Sequence, residues 1–571
     1  ENSSLEIVAG QEPTWPSILS QGTVEKASVP DSEVGSRYSR FSRFFEFSET
    51  GQSINISNHT GHTYVSRATS QVAVSYILTQ EKPDPGVFAQ LVSFQGSEEK
   101  ELLRASSLTS VMRWQGHILK NSTGSAFTFG LSREVSRINT FLSHNWSTPR
   151  RKKFLGLAHH FNISVAQCGG FLTMALIAVL TAHGCAPTIQ QKISDTEGEE
   201  EGHGILGRIL VYPVFMILIL FWRDLEALLG IRGADVFLDK TCIHQVDDSV
   251  KQRGIQKLPA FLNNSKYMLA LYTDSSYLTK MWTVYEVAAF LASRPCENMI
   301  VCELNSVQIY HGCLFSAWFS SVLLMVVRTT VNVPDSVESA LWCLFALILL
   351  VICRRWAISR STIYNRLRQF DVRDCHCTFE SDRAVLEGNI AVLMRARANL
   401  PHATDEEALQ VFNLLVRTEL PQVFAVARHP LAFPYMTVAS FAVLWSGTSR
   451  VDMLAISSGF ETSPWELLGE FGSMAVWWLI WLPAAYALLQ FVANSCLTLR
   501  GWRAWVRLIP LFLLMILPAW GVRVATFAAG EAVDDGSVLG CCSLLAMVVL
   551  GGSMVCVLYS NRFWEICFPH R

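Results

Sequence analysis

Eight apolar segments, each close to the length of a membrane-spanning helix, constrain the fold of this chain most strongly. A helix needs about 20 mostly apolar residues to cross roughly 30 Å of hydrocarbon. Half of the 571 residues are hydrophobic and 16% are charged, whereas about a quarter are charged in ordinary soluble domains. We therefore predict an α-helical multi-pass membrane protein with about eight transmembrane helices. The predicted spans are 165–182, 205–222, 313–331, 340–353, 431–446, 473–492, 506–522 and 539–559.

The charges of the connecting loops predict the orientation of these spans. Basic residues lie in the loops on one side: Arg150 to Lys153 before the first span, Arg354 and Arg355 after the fourth, and Arg500 between the sixth and the seventh. The loops on the opposite side are neutral or acidic, as in Asp195 to Glu201. Because basic loops stay in the cytoplasm, we predict that both termini are cytoplasmic. No Asp, Glu or Lys lies deep in a predicted span, which argues against an ion-coupled transporter.

A second pattern, typical of a soluble domain, lies between the second and third spans. Ala234 to Asp239 and Tyr267 to Tyr272 are apolar runs expected to form buried strands, each followed by helix-like sequence, and Ile138 to Ser143 is a third strand candidate. Strands and helices that alternate over short connections indicate a parallel α/β sheet. We predict that this unit is cytosolic, and that spans one and two form a hairpin inserted between its first two strands.

The remaining segments complete the predicted organisation. Net charge near −2 gives no basic field for nucleic acid. Cys375-His376-Cys377 has no second ligand pair, so we predict no metal site. The predicted segments are a mostly disordered N-terminal region (1–130), the first strand and basic helix of the unit (131–164), a transmembrane hairpin (165–222), the main part of the unit (223–310), a second hairpin (311–356), a cytosolic linker (357–430) that is helical over 406–417, a four-helix transmembrane region (431–560) and a cytosolic tail (561–571).

Six short motifs occur in this unit in a fixed order. They are Ile138-Asn139-Thr140-Phe141-Leu142-Ser143-His144, Val236-Phe237-Leu238-Asp239, Tyr267 to Tyr272, Ser275-Ser276-Tyr277, Trp282-x-x-x-Glu286 and Met299-Ile300-Val301-Cys302. Together they resemble a TIR (Toll/interleukin-1 receptor) domain, which implies a flavodoxin-like, doubly wound parallel sheet. Thr283 stands where that family usually has Cys, and two spans separate the first two strands, where the family has one helix.

A second resemblance rests on the segment after the predicted strand at 236–239. Phe237-Leu238-Asp239-Lys240-Thr241-Cys242-Ile243-His244-Gln245-Val246-Asp247 is similar to a box of the fungal heterokaryon-incompatibility domains. That family also carries a later Trp-x-x-x-Glu pattern. Both families are cell-death or immune signalling modules, so both resemblances imply a signalling unit.

Polar and aromatic residues follow the predicted strands at the edge where such sheets bind ligands. Ser143, His144 and Trp146 end or follow the first strand, and Asp239 ends the second. Glu286 lies one helical turn after Trp282 on the same helix face. The resemblance implies that Glu286 is the catalytic residue of an enzyme that cleaves NAD between nicotinamide and ribose. A carboxylate suits this role, because the reaction passes through an oxocarbenium-like ribose. The other five residues are then candidates for dinucleotide binding, and NAD is a substrate rather than a required cofactor.

The same residues also allow a purely structural interpretation, in which Trp282 packs in the core and Glu286 is an ordinary charge in a first helical turn. Three functional hypotheses therefore stay open: a membrane-anchored TIR-like signalling protein that cleaves NAD, a non-catalytic scaffold or receptor that self-associates through the TIR-like unit, and a channel or transporter with a regulatory TIR-like unit. The expected partners are the lipid bilayer and further copies of this chain.

Overall fold

The computed structural model describes residues 85–192, 200–273, 277–330, 335–424, 431, 433–444, 464–495, 497 and 501–567. Residues 1–84 of the predicted disordered region, most of the acidic loop at 195–201, and Ser275-Ser276 lie outside these ranges. The described strands are β1 (Arg104–Ser107), β2 (Ser132–Glu134), β3 (Ile138–His144), β4 (Thr188–Lys192), β5 (Glu200–Gly204), β6 (Asp235–Phe237), β7 (Ser265–Tyr272) and β8 (Met299–Glu303).

Helices make up most of the described chain. In chain order they are α1 (Pro85–Val92), α2 (Gly96–Lys100), α3 (Leu108–Gly116), α4 (Ala126–Gly130), α5 (Arg150–Ala182), α6 (Leu206–Leu228), α7 (Asp239–Cys242), α8 (Asp248–Gln256), α9 (Leu258–Asn263), α10 (Met281–Ser293), α11 (Leu304–Thr330), α12 (Asp335–Arg368), α13 (Glu380–Ala398), α14 (Asp405–Thr418), α15 (Leu420–Val423), α16 (Tyr435–Ala442), α17 (Pro464–Val476), α18 (Leu482–Ser495), α19 (Trp502–Asp534), α20 (Val538–Leu558) and α21 (Asn561–Cys567).

Six of the described strands form one mixed sheet in the order β2-β1-β6-β3-β7-β8. The strands β6, β3, β7 and β8 are parallel to one another, and Thr140 of β3 pairs with Val236 of β6. The predicted insertion is confirmed: β3 and β6 are neighbours, and helices α5 and α6, which lie between them in the chain, pack against each other.

One part of the sequence prediction was wrong at the edge of this sheet. The predicted all-parallel sheet is mixed, because β1 and β2 join it antiparallel beside β6. The strand β1 lies within the region 1–130 that we had expected to be mostly disordered, and β2 lies in the segment 131–164. Their sequences, Arg-Ala-Ser-Ser and Ser-Arg-Glu, do not alternate between apolar and polar residues. Backbone hydrogen bonds to the neighbouring strands therefore stabilise β1 and β2 in the sheet.

Five described helices are long and apolar enough to cross a membrane. They are 150–182, 206–228, 304–327, 468–495 and 538–558, and they coincide with five of the eight predicted spans. The predicted spans 340–353 and 506–522 lie inside the continuous helices α12 and α19, and the span 431–446 runs into residues outside the description. The predicted number of eight is therefore not confirmed.

Both faces of the parallel strands are covered by helices, as expected of parallel sheets. On one face Leu142 and Leu269 pack with Phe154 and Leu157 of α5. On the other, Phe141 and Met268 belong to a large apolar core that also contains side chains of α10, α13 and α14.

The described part of the segment 357–430, which we had predicted to be a linker, contributes to that core. The predicted helix at 406–417 is confirmed as α14. Apolar residues recur at helical spacing in α13 and α14, and the buried side chains include Leu386, Ile390, Ala408 and Phe412. Such a stripe needs a partner surface. The partner is α10 and the sheet behind it, so this segment is part of the folded unit rather than a connection between domains.

Candidate active site

A cavity of about 990 Å³ lies where β3 and β6 end and where α10 begins. This is within the usual range of roughly 300–1,000 Å³ for small-molecule sites. Five of the six predicted site residues line it: His144, Trp146, Asp239, Trp282 and Glu286. The sixth, Ser143, is buried directly behind the wall and donates a hydrogen bond to Glu286. The structure thus brings all six predicted residues together.

A chain of hydroxyl groups leads from the protein interior to Glu286. The Ser143 hydroxyl donates to Oε2 of Glu286, and the Tyr277 hydroxyl lies 2.5 Å from Oγ of Ser143. Serine has a single hydroxyl proton, so while Ser143 donates to Oε2 of Glu286 it must accept from Tyr277. Both Ser143 and Tyr277 are buried. The arrangement therefore fixes one oxygen of the carboxyl group and leaves the other side of Glu286 toward the cavity.

Burial raises the pKa of Glu286 to about 8; the hydrogen bond from Ser143 opposes this rise, and the negative charge of Asp239 adds to it. At neutral pH this carboxyl group is therefore mostly protonated. A cation that entered the cavity would favour the charged form, because an opposite charge stabilises a carboxylate. Glu286 is partly buried and accepts a hydrogen bond from Ser143, so it is not an ordinary exposed charge of a first helical turn.

Trp146 is held in the cavity wall by a buried carboxylate. Its indole N–H donates to Oδ2 of Asp239 at 2.8 Å, and the backbone N–H of Lys240 donates to Oδ1 at 2.7 Å. The ammonium groups of Lys153 and Lys240 lie 4.5 and 5.9 Å from the Trp146 ring centroid. Burial raises the pKa of Asp239 and lowers that of Lys153 to about 8. The ring is thus fixed in place, with positive charge against it.

His144 is buried at the end of β3. Its Nδ1 lies 3.4 Å from the carbonyl oxygen of Leu142, and its ring packs edge-on against Trp146. Burial and the nearby charge of Lys153 keep the pKa of His144 well below its usual value. The ring is therefore neutral at physiological pH. Trp282 packs against the core, as the structural interpretation predicts, and also lines the cavity.

The start of α10, which carries Trp282 and Glu286, is anchored by backbone and hydroxyl contacts. Met281 donates its backbone N–H to the carbonyl of His376 at 2.9 Å, and the Thr283 hydroxyl donates to the carbonyls of Tyr277 and Lys280. Thr283, the departure from the TIR pattern, therefore fastens the turn that precedes the helix. The segment Cys375-His376-Cys377 packs beside that turn, with Cys375 buried.

Sequence reasoning missed several groups that shape the site. Tyr277 was recognised only as part of a family motif, and Lys153 only as part of a basic run that orients the first span. Neither the hydrogen-bond partner of Ser143 nor the burial of Lys153 can be read from one sequence.

Lys120 and Asn121 also line the cavity, although they belong to the region that we had expected to be mostly disordered. Asn121 accepts two hydrogen bonds from Nζ of Lys240, through its backbone and side-chain oxygens.

No protein-family model, no curated protein and no solved structure matches this chain.

Proposed function

We propose that this chain is a multi-pass membrane protein whose cytosolic TIR-like unit cleaves NAD between nicotinamide and ribose. One observation carries the proposal: Glu286, a deeply placed carboxyl group fixed by Ser143 and Tyr277, lies in the wall of a cavity of about 990 Å³ at the carboxyl ends of parallel strands. Ligands bind at this edge in doubly wound sheets. The five long apolar helices and the basic run at the start of α5 support the membrane part of the proposal.

The geometry accounts for the chemistry as follows. The positively charged nicotinamide ring enters beside Glu286 and shifts its carboxyl group to the ionised form. The bond between ribose C1′ and the ring nitrogen then breaks, and nicotinamide leaves with the electron pair. The carboxylate stabilises the positive charge that develops on the ribose, as in glycoside hydrolysis. Water adds to C1′ and releases a proton. Trp146 and Trp282 offer aromatic faces on which a base or nicotinamide can stack.

The test is NAD turnover by purified full-length protein in lipid nanodiscs, compared with Glu286→Gln. The substitution keeps size and polarity but removes the charge that the developing cation needs. We expect the rate to fall by about a hundredfold or more. Glu297→Gln is the matched control, because Glu297 is exposed just before β8 and does not line the cavity. That variant should keep the wild-type rate.

Equal turnover by the wild type and Glu286→Gln would refute the catalytic assignment. If the wild-type protein neither binds nor cleaves NAD, a non-catalytic scaffold or receptor that self-associates through the TIR-like unit becomes the better hypothesis. Ion or solute flux in reconstituted vesicles would instead support a channel or transporter with a regulatory unit.

A further inference from the structure

A turn formed by Arg113, Trp114 and Gln115 interrupts α3 near its end and presents a tryptophan on the outside of the molecule. Trp114 is 70% exposed. The backbone φ angles of Trp114 and Gln115 are +55° and +52°. Residues with bulky side chains seldom adopt this left-handed region, because Cβ comes too close to the following carbonyl oxygen. The Trp114 turn, as we call these three residues, therefore exposes an indole ring on a strained backbone.

Contacts from both helices of the inserted hairpin hold this turn. Trp114 donates its backbone N–H to Oδ1 of Asp224 in α6 at 2.9 Å, and the guanidinium of Arg150 in α5 donates to the Gln115 carbonyl at 3.4 Å. Strained backbone persists only where its surroundings fix it, and it is most frequent at functional positions. The exposed ring is thus presented by a fixed scaffold, which favours a binding role for it.

The Trp114 turn lies beside the end of the apolar outer face of α6, one of the helices long and apolar enough to cross a membrane. The exposed apolar residues of that face recur every three or four positions: Ile217, Phe221, Leu225 and Leu228. Asp224, which holds Trp114, lies two residues after the predicted end of this span at position 222, about 3 Å along the helix axis. If α6 crosses the bilayer, Trp114 therefore lies where hydrocarbon meets the head groups, a depth at which membrane proteins are rich in tryptophan.

A positive charge accompanies the exposed ring. The Arg113 guanidinium lies 5.2 Å from the centroid of the Trp114 ring, and the Arg113 side chain is exposed. Arg113 forms no ion pair with any other residue that the structure describes. Anionic lipids of the cytosolic leaflet attract arginine near the membrane surface, and a guanidinium group matches the geometry of phosphate and carboxylate groups. A tryptophan beside an arginine without an acidic partner therefore fits an anionic phospholipid.

We propose that the Trp114 turn is a membrane-surface anchor of the sheet unit and binds an anionic phospholipid of the cytosolic leaflet. The indole ring packs beside α6 at the boundary of the hydrocarbon, and Arg113 pairs with the lipid head group. The buried face of α3 joins this contact to β1, the strand that precedes α3. The inference rests on the membrane part of the proposed function and is independent of NAD cleavage.

The test places a photoreactive aromatic side chain in the turn of the full-length protein, as Trp114→benzoylphenylalanine. The protein is reconstituted in nanodiscs with equal parts of phosphatidylcholine and phosphatidylserine, and mass spectrometry identifies the adducts that form on illumination. We expect phospholipid adducts at position 114 with phosphatidylserine enriched about fivefold, as for one arginine near a membrane surface. Arg113→Gln in the same background should remove the enrichment, and Arg113→Lys should retain it.

Two further positions serve as controls for the photoreactive probe. Phe127 is 78% exposed on α4, which packs against α7. Since α7 follows the carboxyl end of β6 whereas α6 precedes its amino end, Phe127→benzoylphenylalanine should form no lipid adduct. Leu176 is 60% exposed in the apolar part of α5, so Leu176→benzoylphenylalanine should form adducts with both lipids and without preference.

The native residue gives a second measurement that does not depend on the photoreactive side chain. The protein is labelled with fluorotryptophan, and the fluorine resonance that is missing from Trp114→Phe belongs to Trp114. A nitroxide on the phosphatidylserine head group should broaden this resonance more than a water-soluble nitroxide does. Stronger broadening by the water-soluble nitroxide would contradict the proposal.

The outcomes also separate this inference from the proposed function. Lipid adducts at Leu176 without adducts at position 114 would refute the anchor and leave the membrane part of the proposed function intact. The absence of lipid adducts at both positions would refute that membrane part and the anchor with it. Adducts of position 114 with a second copy of this chain would show that Trp114 is a subunit contact, which also overturns the proposal, as would lipid adducts without a preference for phosphatidylserine.

Discussion

At the level of single residues, Glu286 links protonation to stability. Its pKa is about 8 in the folded protein and 4.5 when the group is unperturbed. The folded state therefore holds the proton more tightly than the unfolded state. This stabilisation is complete below about pH 4.5 and is lost as the pH rises to about 8, since the unfolded chain releases the proton first.

This linkage predicts a difference between the wild-type protein and Glu286→Gln, which cannot titrate at this position. The Tm of the wild type should fall relative to that of Glu286→Gln between about pH 4.5 and 8. Thermal unfolding followed by tryptophan fluorescence across this range measures it. Glu297→Gln should show the wild-type slope. Parallel profiles for the wild type and Glu286→Gln would show that the carboxyl group is not buried as described.

The proximity of the six candidate residues was predictable because each ends or follows a strand or lies on a helix whose pattern is visible in the sequence. Strand ends converge at one edge of a parallel sheet, so Ser143 and Asp239 had to be near each other. The partners of these residues were not predictable in the same way. Lys153 lies in a run of four basic residues, and only the packing of α5 against the sheet shows that this one is buried while Lys152 is partly exposed.

At the level of elements, a polar clamp joins the helices of the inserted hairpin. The buried Asn162 of α5 donates to the carbonyl of Ile219 at 2.9 Å and accepts from Nε of Arg223 at 2.8 Å. Arg223 also pairs with Glu226, which accepts a further hydrogen bond from Thr109 of α3. The clamp therefore fixes α5, α6 and α3 against one another.

Arg223→Met should destabilise the protein by about 3–5 kcal/mol, because it leaves the carboxylate of Glu226 buried without its cation. The double variant Arg223→Met, Glu226→Leu should recover part of the loss, since neither charge is then left alone. Thermal stability in detergent or nanodiscs measures both. Arg232→Met is the control, as Arg232 is exposed beyond α6. A single variant as stable as that control would mean that the clamp contributes little.

The elements differ in how far the sequence predicts them. The apolar runs of β3, β6, β7 and β8 identify buried strands, whereas β1 and β2 are short and polar and owe their structure to pairing with β6 and each other. The helix α14 has a clear apolar stripe, so its existence was predictable. A stripe shows that a face is buried but does not show against what. For that reason a folded part of the unit was taken for a linker.

At the level of the whole molecule, continuous helices join the sheet unit to the apolar helices. Helix α5 begins beside the sheet at Arg150 and continues through its apolar part to Ala182, about 50 Å away for 33 residues. Helix α11 starts at Leu304, directly after β8. The apolar helices and the sheet are therefore directly connected along the chain.

The proposed topology makes a prediction for two thiols, one just after α5 and one in the sheet unit where α5 begins. Cys185 is free and exposed just after α5, and Ser381→Cys introduces an exposed thiol at the start of α13, in the sheet unit. If α5 spans the bilayer, the two thiols lie on opposite sides of it. A membrane-impermeant maleimide is added to three samples: intact cells, cells whose plasma membrane has been selectively opened, and cells dissolved in detergent. Mass spectrometry identifies the modified site.

The thiol at position 381 should react when the cytosol becomes accessible, and Cys185 should react either before that step or only in detergent. Labelling of both thiols in the same step would place both ends of α5 on one side and reject the multi-pass arrangement proposed for this helix.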